Sequence, residues 1–184
     1  MDEKEIRSYI EDGSSPRRRL NEKQLHSIGK KMAERLMKGR TLFVMGNGGS
    51  AEQSQHFVAE VLGRFEKDRK PLSAVSLASN SASLTAIAND YGFEKVFARQ
   101  IKGLAKEGDI VVGISTSGNS MNVIRGIEEA KKLKCYTVAL LGKGGKLQGM
   151  ADDTITVESS RTAHIQEAHL AIIHILSKII EDAI

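Results

Sequence analysis

Several residue types are scarce in this chain, and each shortage excludes a class of protein. The 184 residues include a single cysteine, Cys135, so no disulfide and no cysteine-based zinc site can form within the chain. Tryptophan is absent, and only five phenylalanines and three tyrosines occur, which argues against an aromatic platform for stacked nucleobases. No apolar run approaches the roughly 18 residues of a membrane-spanning helix. We therefore expect neither a nucleic acid nor a membrane as partner.

What remains is the composition of an ordinary globular protein with a modest positive charge. Hydrophobic residues make up 40% of the chain, which is enough for one domain with a full core. The net charge of +4 suits an anionic small-molecule ligand. The acidic N-terminal segment, MDEKEIRSYIEDG, lacks the apolar core of a secretion signal, which predicts a cytoplasmic protein.

A strand, a glycine turn and a helix follow one another in residues 41–60, TLFVMGNGGSAEQSQHFVAE. At such a junction, the N–H groups of the turn and the positive end of the helix dipole form a ready anion site. The helix also carries His56 and Glu60, which share one face because they are four residues apart. Both residue types serve as metal ligands and as acid–base groups. The stretch therefore predicts a phosphate cradle beside a catalytic or metal-binding pair.

The same turn also fits the dinucleotide-binding fingerprint, since Gly46, Gly48 and Ala51 have the required spacing. That motif needs an acidic residue at the end of the next strand, about twenty residues further on. Glu66 and Asp68 lie at that distance, but they precede the next apolar run, and no acid follows that run directly. The dinucleotide interpretation is therefore disfavoured.

Apolar runs typical of strands alternate with helical patterns along the chain. This alternation predicts an α/β fold with a doubly wound, five-stranded parallel sheet flanked by helices. The strands are expected near residues 41–45, 72–77, 109–114, 135–141 and 154–158. Extra helices are expected at both ends of the chain, at 20–38 and 163–182.

The two ends of the chain carry further predictions. Residues 1–19 are expected to form an arm or a short helix that a break at 13–16 (GSSP) ends, and residues 20–184 a single domain. The helix at 163–182 is apolar around most of its circumference, which predicts packing between subunits.

Residues 115–120, STSGNS, place four hydroxyl groups between a buried strand and the start of a helix. Hydroxyls and helix-start N–H groups suit a phosphate monoester. Helix capping is the alternative, but four hydroxyls in six residues exceed what a cap needs. Because the carboxyl ends of parallel strands share one edge, the turns at 46–50, 78–80 and 115–120 are expected on the same rim of the sheet.

The last helix offers candidate partners for the pair on the earlier helix. Gln166 and His174 are eight residues apart, and Glu167 and His174 are seven apart, so either pair can share a face. A histidine among isoleucines and leucines is also a common core or interface residue. Spacing alone does not choose among these possibilities.

Four motifs, GNGGSAEQSQHFVAE, ANDYGF, GISTSGNS and HIQEAHLAIIHIL, occur in this order between about residue 20 and the end of the chain. Together they resemble the phosphoheptose isomerases, a family of sugar isomerase (SIS) domain proteins. The resemblance implies interconversion of sedoheptulose 7-phosphate and D-glycero-D-manno-heptose 7-phosphate by enediol proton transfer. It also implies one zinc ion per subunit and a homotetramer.

The family's functional positions correspond to residues of this sequence, and the resemblance implies their roles. Its catalytic positions match Glu60 and His174. Its metal-binding positions match His56, Glu60, Gln166 and His174, which decides for Gln166 over Glu167. Its substrate-binding positions match Asn47, Gly48, Gly49, Glu60, Asn89, Asp90, Ser115, Thr116, Ser117, Ser120 and Gln166.

The chain departs from the family pattern just before Gln166. Family members often carry Arg two residues before this glutamine and some carry Asp three before it, where this chain has His164 and Ala163. We assign these two positions no substrate contact. A competing hypothesis from another class is a non-catalytic SIS-domain protein that binds a replication initiator or senses sugar phosphates. The presence of both Glu60 and His174 favours the enzyme.

Overall fold

Five strands form one sheet in the structure, a computed structural model that describes residues 1–184. They are β1 (Leu42–Gly46), β2 (Ala74–Ser76), β3 (Ile110–Ser115), β4 (Tyr136–Leu141) and β5 (Asp153–Thr156). All pairings are parallel, in the order β2-β1-β3-β4-β5. The predicted doubly wound α/β fold is confirmed, and the strand bounds agree with the predicted ones to within about two residues.

Seven α-helices surround the sheet. They are α1 (Glu3–Arg18), α2 (Glu22–Met37), α3 (Gly49–Leu62), α4 (Ser81–Tyr91), α5 (Val96–Leu104), α6 (Met121–Lys132) and α7 (Thr162–Asp182). A single 3-10 turn, Phe93–Lys95, precedes α5. None of the helices is both long enough and apolar enough to cross a membrane.

The helices cover both faces of the sheet because strand side chains alternate in direction. In β1, Leu42 and Val44 join a core that α2, α3 and α7 complete. Their neighbours Phe43 and Met45 join a second core, which α5 and α6 complete. Burial on both faces explains why the three central strands, β1, β3 and β4, are mostly apolar along their length rather than alternating.

The strand order reverses between β1 and β3. The chain runs from β1 outward to β2, and then returns across the sheet to β3, so the crossovers after β1 and β3 lie on opposite faces. Gly46 at the end of β1 pairs with Ile114 near the end of β3, which places the glycine turn beside the Ser115–Ser120 loop. Open α/β sheets bind ligands at such a switch point.

The predicted break at Gly13-Ser14-Ser15-Pro16 is wrong, because α1 continues through these residues to Arg18. Gly13 and Pro16 are buried where α1 packs on α7. A Cβ atom at Gly13 would lie 2.6 Å from Glu167 Oε2, so the glycine allows a close approach of the two helices. Tertiary packing here outweighs the local preference of glycine and proline for a turn. The domain boundary at residues 19 and 20 stays a prediction.

The apolar circumference of α7 is covered mainly within the chain, by α1, α2 and α3. Residues such as Ile172, Ile173 and Leu176 are fully buried, and Ile175 is the one large apolar side chain of this helix that is exposed. The apolar surface of α7 therefore gives no support to the prediction of subunit packing, because the helix belongs to the core of its own subunit.

Candidate active site

Three polar side chains from α3 and α7 converge at one point. His56 Nε2 lies 3.0 Å from Glu60 Oε1 and 2.9 Å from His174 Nε2. One ligand atom from each of the three residues lies within 4.8 Å of the others. The predicted partnership between His56, Glu60 and His174 is thus present within a single chain, and α7 supplies its third member.

This arrangement fits a metal ion. The neutral His56 ring has at most one hydrogen on Nε2, so it cannot donate full hydrogen bonds to both Glu60 and His174. Two imidazole nitrogens and a carboxylate oxygen that face a common point are typical of a metal site, and this N/O set suits zinc among other first-row metals.

A cavity of about 430 Å³ adjoins this group, a size that suits a small-molecule ligand. It lies between α3 and α7 and shares His56 with the metal-binding group. Its other lining residues are Gly49, Glu52, Gln53, Ala163, Gln166, Glu167 and Leu170. A larger cavity of about 530 Å³ lies where α1 meets the start of α7, but it contains none of the predicted site residues.

Gln166 lies on the wall of this cavity against the start of α3. Its backbone oxygen accepts a 2.6 Å hydrogen bond from Gln53 Nε2. A Cβ atom at Gly49 would lie only 2.5 Å from Gln166 Nε2, so the glycine makes room for the glutamine side chain. Two residues that were predicted to bind substrate, Gly49 and Gln166, are therefore neighbours, and a ligand role for Gln166 stays a prediction.

The hydroxyl-rich loop after β3 does not cap the following helix. Ser120 is the N-cap residue of α6, yet its side chain makes no capping hydrogen bond. Instead, Ser120 Oγ lies 3.0 Å from Ser115 Oγ, and Ser117 Oγ accepts a hydrogen bond from the backbone N–H of Asn119. In the first turn of α6, the Val123 N–H donates to Asn122 Oδ1 at 3.0 Å, whereas the N–H groups of Met121 and Asn122 are left for another acceptor, which favours the anion-binding interpretation over the capping one.

Neighbouring backbone holds this loop in place. Thr116 O accepts a hydrogen bond from Gly142 N (3.1 Å), and Gly118 O accepts one from Leu147 N (2.9 Å). Asn119 Oδ1 accepts a third from Lys146 N at 3.0 Å. The glycine-rich turn after β4 (residues 142–147) thus holds the backbone of the hydroxyl-rich loop in place.

Asn47 in the glycine turn is paired with a residue that sequence reasoning missed. Each side-chain amide of Asn47 and Asn122 donates to the other's oxygen, at 2.9 and 2.7 Å. Asn122 is 3% exposed and lies in the first turn of α6, two residues after Ser120. The pair connects the two loops predicted to bind substrate. Its position just beyond the hydroxyl loop is the one sequence signal that pointed to Asn122.

Asn89 and Asp90 form no side-chain hydrogen bond to the other predicted substrate-binding residues. They are exposed near the end of α4, and their side chains bond only to each other, with Asn89 Nδ2 donating to Asp90 Oδ1 at 2.9 Å. No residue of α4 is buried. A contribution of these residues to substrate binding stays a prediction.

Not every histidine of α7 belongs to this site. His169 is fully buried, and its Nε2 lies 3.1 Å from Leu141 O. Burial lowers the pKa of His169 to about 4, although the hydrogen bond to Leu141 opposes this shift. His169 is therefore a neutral core residue at physiological pH, whereas His174, five residues later, faces the metal-binding group.

Comparison with known proteins agrees with the observed fold. The family model of the SIS domain matches residues 8–142. A probable phosphoheptose isomerase of Thermoplasma acidophilum is 49% identical over 179 residues, which cover 97% of this chain and 98% of the relative. A phosphoheptose isomerase of Nitratiruptor sp. is 52% identical over 151 residues, which cover 82% of this chain and 81% of the relative.

A solved structure extends the similarity to the whole fold. The phosphoheptose isomerase of Francisella tularensis superposes with a TM-score of 0.92 at 38% identity, and the match covers 97% of each chain. The family model and the fold together define a SIS-domain protein. Within that class, the chain belongs to the phosphoheptose isomerase family.

Proposed function

We propose that this protein is an isomerase that interconverts sedoheptulose 7-phosphate and D-glycero-D-manno-heptose 7-phosphate. The observation that carries the proposal is the convergence of His56, Glu60 and His174 beside a cavity that Gln166 also lines. The relatives' names support the same substrate class. A cytoplasmic location stays a prediction.

The reaction moves one carbon-bound proton between neighbouring carbons. A base removes a proton from C1 of the ketose, the resulting enediol takes a proton at C2, and a hydroxyl proton moves from O1 to O2. In the proposal, Glu60 takes the carbon-bound proton and His174 exchanges the proton with the oxygens. The two residues suit this division because they belong to one cluster yet come from opposite walls of the site, α3 and α7.

The substrate's phosphate group is assigned to the loop Ser115–Ser120. Its hydroxyls and the uncapped N-terminus of α6 present hydrogen-bond donors to an anion. Binding the phosphate there would place the other end of the sugar toward α3, since the glycine turn of β1 adjoins this loop. Asn47, Gly48 and Gly49 would then line the path between the phosphate and the reacting carbons.

A zinc ion, one per subunit, is proposed at His56, Glu60 and His174, with Gln166 as a fourth ligand. When bound, such an ion polarises a carbonyl group and stabilises negative charge on the enediol oxygens. A carboxylate that a metal holds is a weaker base, so the two roles given to Glu60 compete. This competition makes Glu60 the most informative position to alter.

A homotetramer with active sites at subunit boundaries is proposed as the working assembly. Helix α4 buries no residue within its own chain, and Tyr91 and Phe93 at its end are exposed. A neighbouring subunit on this surface would cover these aromatic rings and enclose Asn89 and Asp90. Light scattering should give about four chain masses at micromolar concentration, and an active monomer would contradict the assembly.

Turnover of sedoheptulose 7-phosphate by the purified protein tests the proposed function. The aldose product can be followed by coupled oxidation or by NMR, after addition and after chelation of zinc. We expect activity that a chelator lowers and zinc restores. A folded, metal-loaded protein that binds the sugar phosphate but does not convert it would instead support the non-catalytic alternative.

A further inference from the structure

Segment 63–70, which leaves the end of α3, is fixed to α7 by Glu181. The Glu181 carboxylate accepts hydrogen bonds from the backbone N–H groups of Phe65, at 3.1 Å, and Glu66, at 3.0 Å. Its side chain is only 1% exposed. Burial raises the pKa of Glu181, but the surrounding N–H groups and Arg69 lower it by more, so its pKa lies below the usual value. The segment is therefore anchored by an ionised, buried carboxylate.

Arg69 connects the same carboxylate to the end of α3. Its Nη2 donates to Glu60 O at 2.7 Å, its Nη1 donates to Val61 O at 3.0 Å, and its Nε lies 3.5 Å from Glu181 Oε1. The arginine side chain is 6% exposed. No basic residue occurs in the last turn of α3, so this guanidinium supplies the donors and the positive charge that a helix C-terminus favours.

The two helices joined in this way are those that carry the candidate metal ligands. Glu60 provides both a site carboxylate and the backbone oxygen that Arg69 holds. On α7, His174 and Glu181 are seven residues apart and share one face. The backbone N–H of Phe65 donates to Glu181, and the centroid of the Phe65 ring lies 5.7 Å from that of the His174 ring. A change at the Arg69–Glu181 pair would therefore be transmitted to both walls of the site.

We propose that Arg69 and Glu181 are positioning residues that hold α3 and α7 at the spacing at which His56, Glu60 and His174 converge. Neither side chain belongs to the converging group, and both act through backbone. The catalytic consequence of this inference rests on the proposed function, whereas its geometric content does not. An arginine suits the role because its rigid fork reaches two carbonyls and a carboxylate together.

Two conservative substitutions and one control test the proposal. Arg69→Lys keeps the charge and loses the fork, and Glu181→Gln keeps the shape and loses the charge. The control is Lys67→Met, which breaks the exposed 2.6 Å ion pair between Lys67 and Asp182, across the same segment and helix. All three variants are first checked by thermal melting, and either of the two conservative variants suffices if the other does not fold.

The measurement is the imidazole NMR spectrum of the metal-free protein, which contains five histidines. We expect Arg69→Lys and Glu181→Gln to shift the signals of His56 and His174, and Lys67→Met to shift neither. The remaining histidines, His26, His164 and His169, serve as internal references. Zinc affinity, measured by competition with a chromophoric chelator, should fall about tenfold in the two variants, the lower end of the range for residues that support metal ligands.

Unshifted His56 and His174 signals in the folded variants would overturn the inference, as would shifts that extend equally to all five histidines. Zinc affinity within about twofold of the unaltered protein in both variants would also overturn it. The spectra are recorded without substrate. An unaltered protein that lacks isomerase activity would thus contradict the proposed function and leave the positioning test intact.

Discussion

At the scale of single residues, Glu60 and His174 carry both proposed proton transfers although they are 114 positions apart in the chain. His56 lies between them, with its Nε2 3.0 Å from Glu60 Oε1 and 2.9 Å from His174 Nε2. The same three atoms are the candidate metal ligands. Substitution at each position therefore needs separate measurements of metal content and turnover.

Glu60→Gln should abolish turnover, because an amide cannot accept the carbon-bound proton, while substrate binding to the Ser115–Ser120 loop should persist. His174→Ala should behave similarly. His26→Ala, which removes an exposed histidine of α2, is the control. Turnover, bound zinc and melting temperature are measured on all three variants. Near-native turnover in both site variants would refute the isomerase assignment and favour a binding protein.

Ser117→Ala and Ser120→Ala should each weaken binding of the sugar phosphate. A lost hydrogen bond to a charged group costs about 1.5–3 kcal/mol, which corresponds to roughly tenfold or more in affinity. Ser73→Ala is a matched control, because Ser73 pairs with Thr41 at the opposite edge of the sheet. Calorimetric titration with the substrate gives the affinities. Unchanged binding in both single variants and in the double variant would contradict the assignment of the phosphate site to this loop.

At the scale of elements, the start of α3 packs against α7 more closely than a residue with a Cβ atom at position 49 would allow. Gly49 begins α3, and Gln166 on α7 occupies the space that a side chain at Gly49 would need. The hydrogen bond from Gln53 to Gln166 O fixes the same contact one turn later. The spacing of these helices thus sets the width of the cavity beside His56.

Gly49→Ala should displace Gln166 and lower turnover, since the new Cβ atom would lie 2.5 Å from Gln166 Nε2. The control is Gly103→Ala in α5, where a Cβ atom meets nothing within 4 Å. We expect the control to keep its activity and to be stabilised slightly by the better helix propensity of alanine. Steady-state kinetics of both variants make the comparison, and equal activities would show that the cavity tolerates a displaced Gln166.

The sequence predicts elements better than it predicts contacts between them. All five strands were predicted, and the pattern is clearest for β1, β3 and β4 because these strands are buried on both faces. Gly13 and Pro16 misled the prediction, since their burial against α7 has no local signature. Asn122 and Glu181 were missed for the same reason, because Asn122 pairs with Asn47, 75 residues away, and Glu181 binds the N–H of Phe65, 116 residues away. Arg69 was missed because its contact with Glu181 also joins distant parts of the chain. Residue types and spacing pointed to His56, Glu60 and the Ser115–Ser120 loop, whereas the choice of Gln166 and the roles of Asn89 and Asp90 came only from the resemblance to a known family.

At the scale of the whole molecule, one buried histidine makes the free energy of unfolding depend on pH. The pKa of His169 is about 4 in the folded protein against a usual value of 6.5. Between these values the unfolded chain binds more protons than the folded chain. The contribution to stability is therefore complete above about pH 6.5 and is lost as the pH falls toward 4.

From pH 7 to pH 5, His169 should account for about 2 kcal/mol of lost stability, since one pKa unit corresponds to about 1.36 kcal/mol. His169→Gln can still donate to Leu141 O but does not titrate. Urea unfolding of both proteins at the two pH values tests this, and the variant should lose about 2 kcal/mol less than the unaltered protein. An equal loss in both proteins would contradict the assignment.

The position of α7 in the chain has a consequence for biosynthesis. This helix follows all five strands in the chain, and it provides Ile165, Ile172 and Leu176 to the core on one face of the sheet. A growing polypeptide therefore cannot complete the core on that face until α7 has been synthesised, after all five strands. The same last helix delivers His174, so a nascent chain gains its third metal-binding side chain only when the core can close.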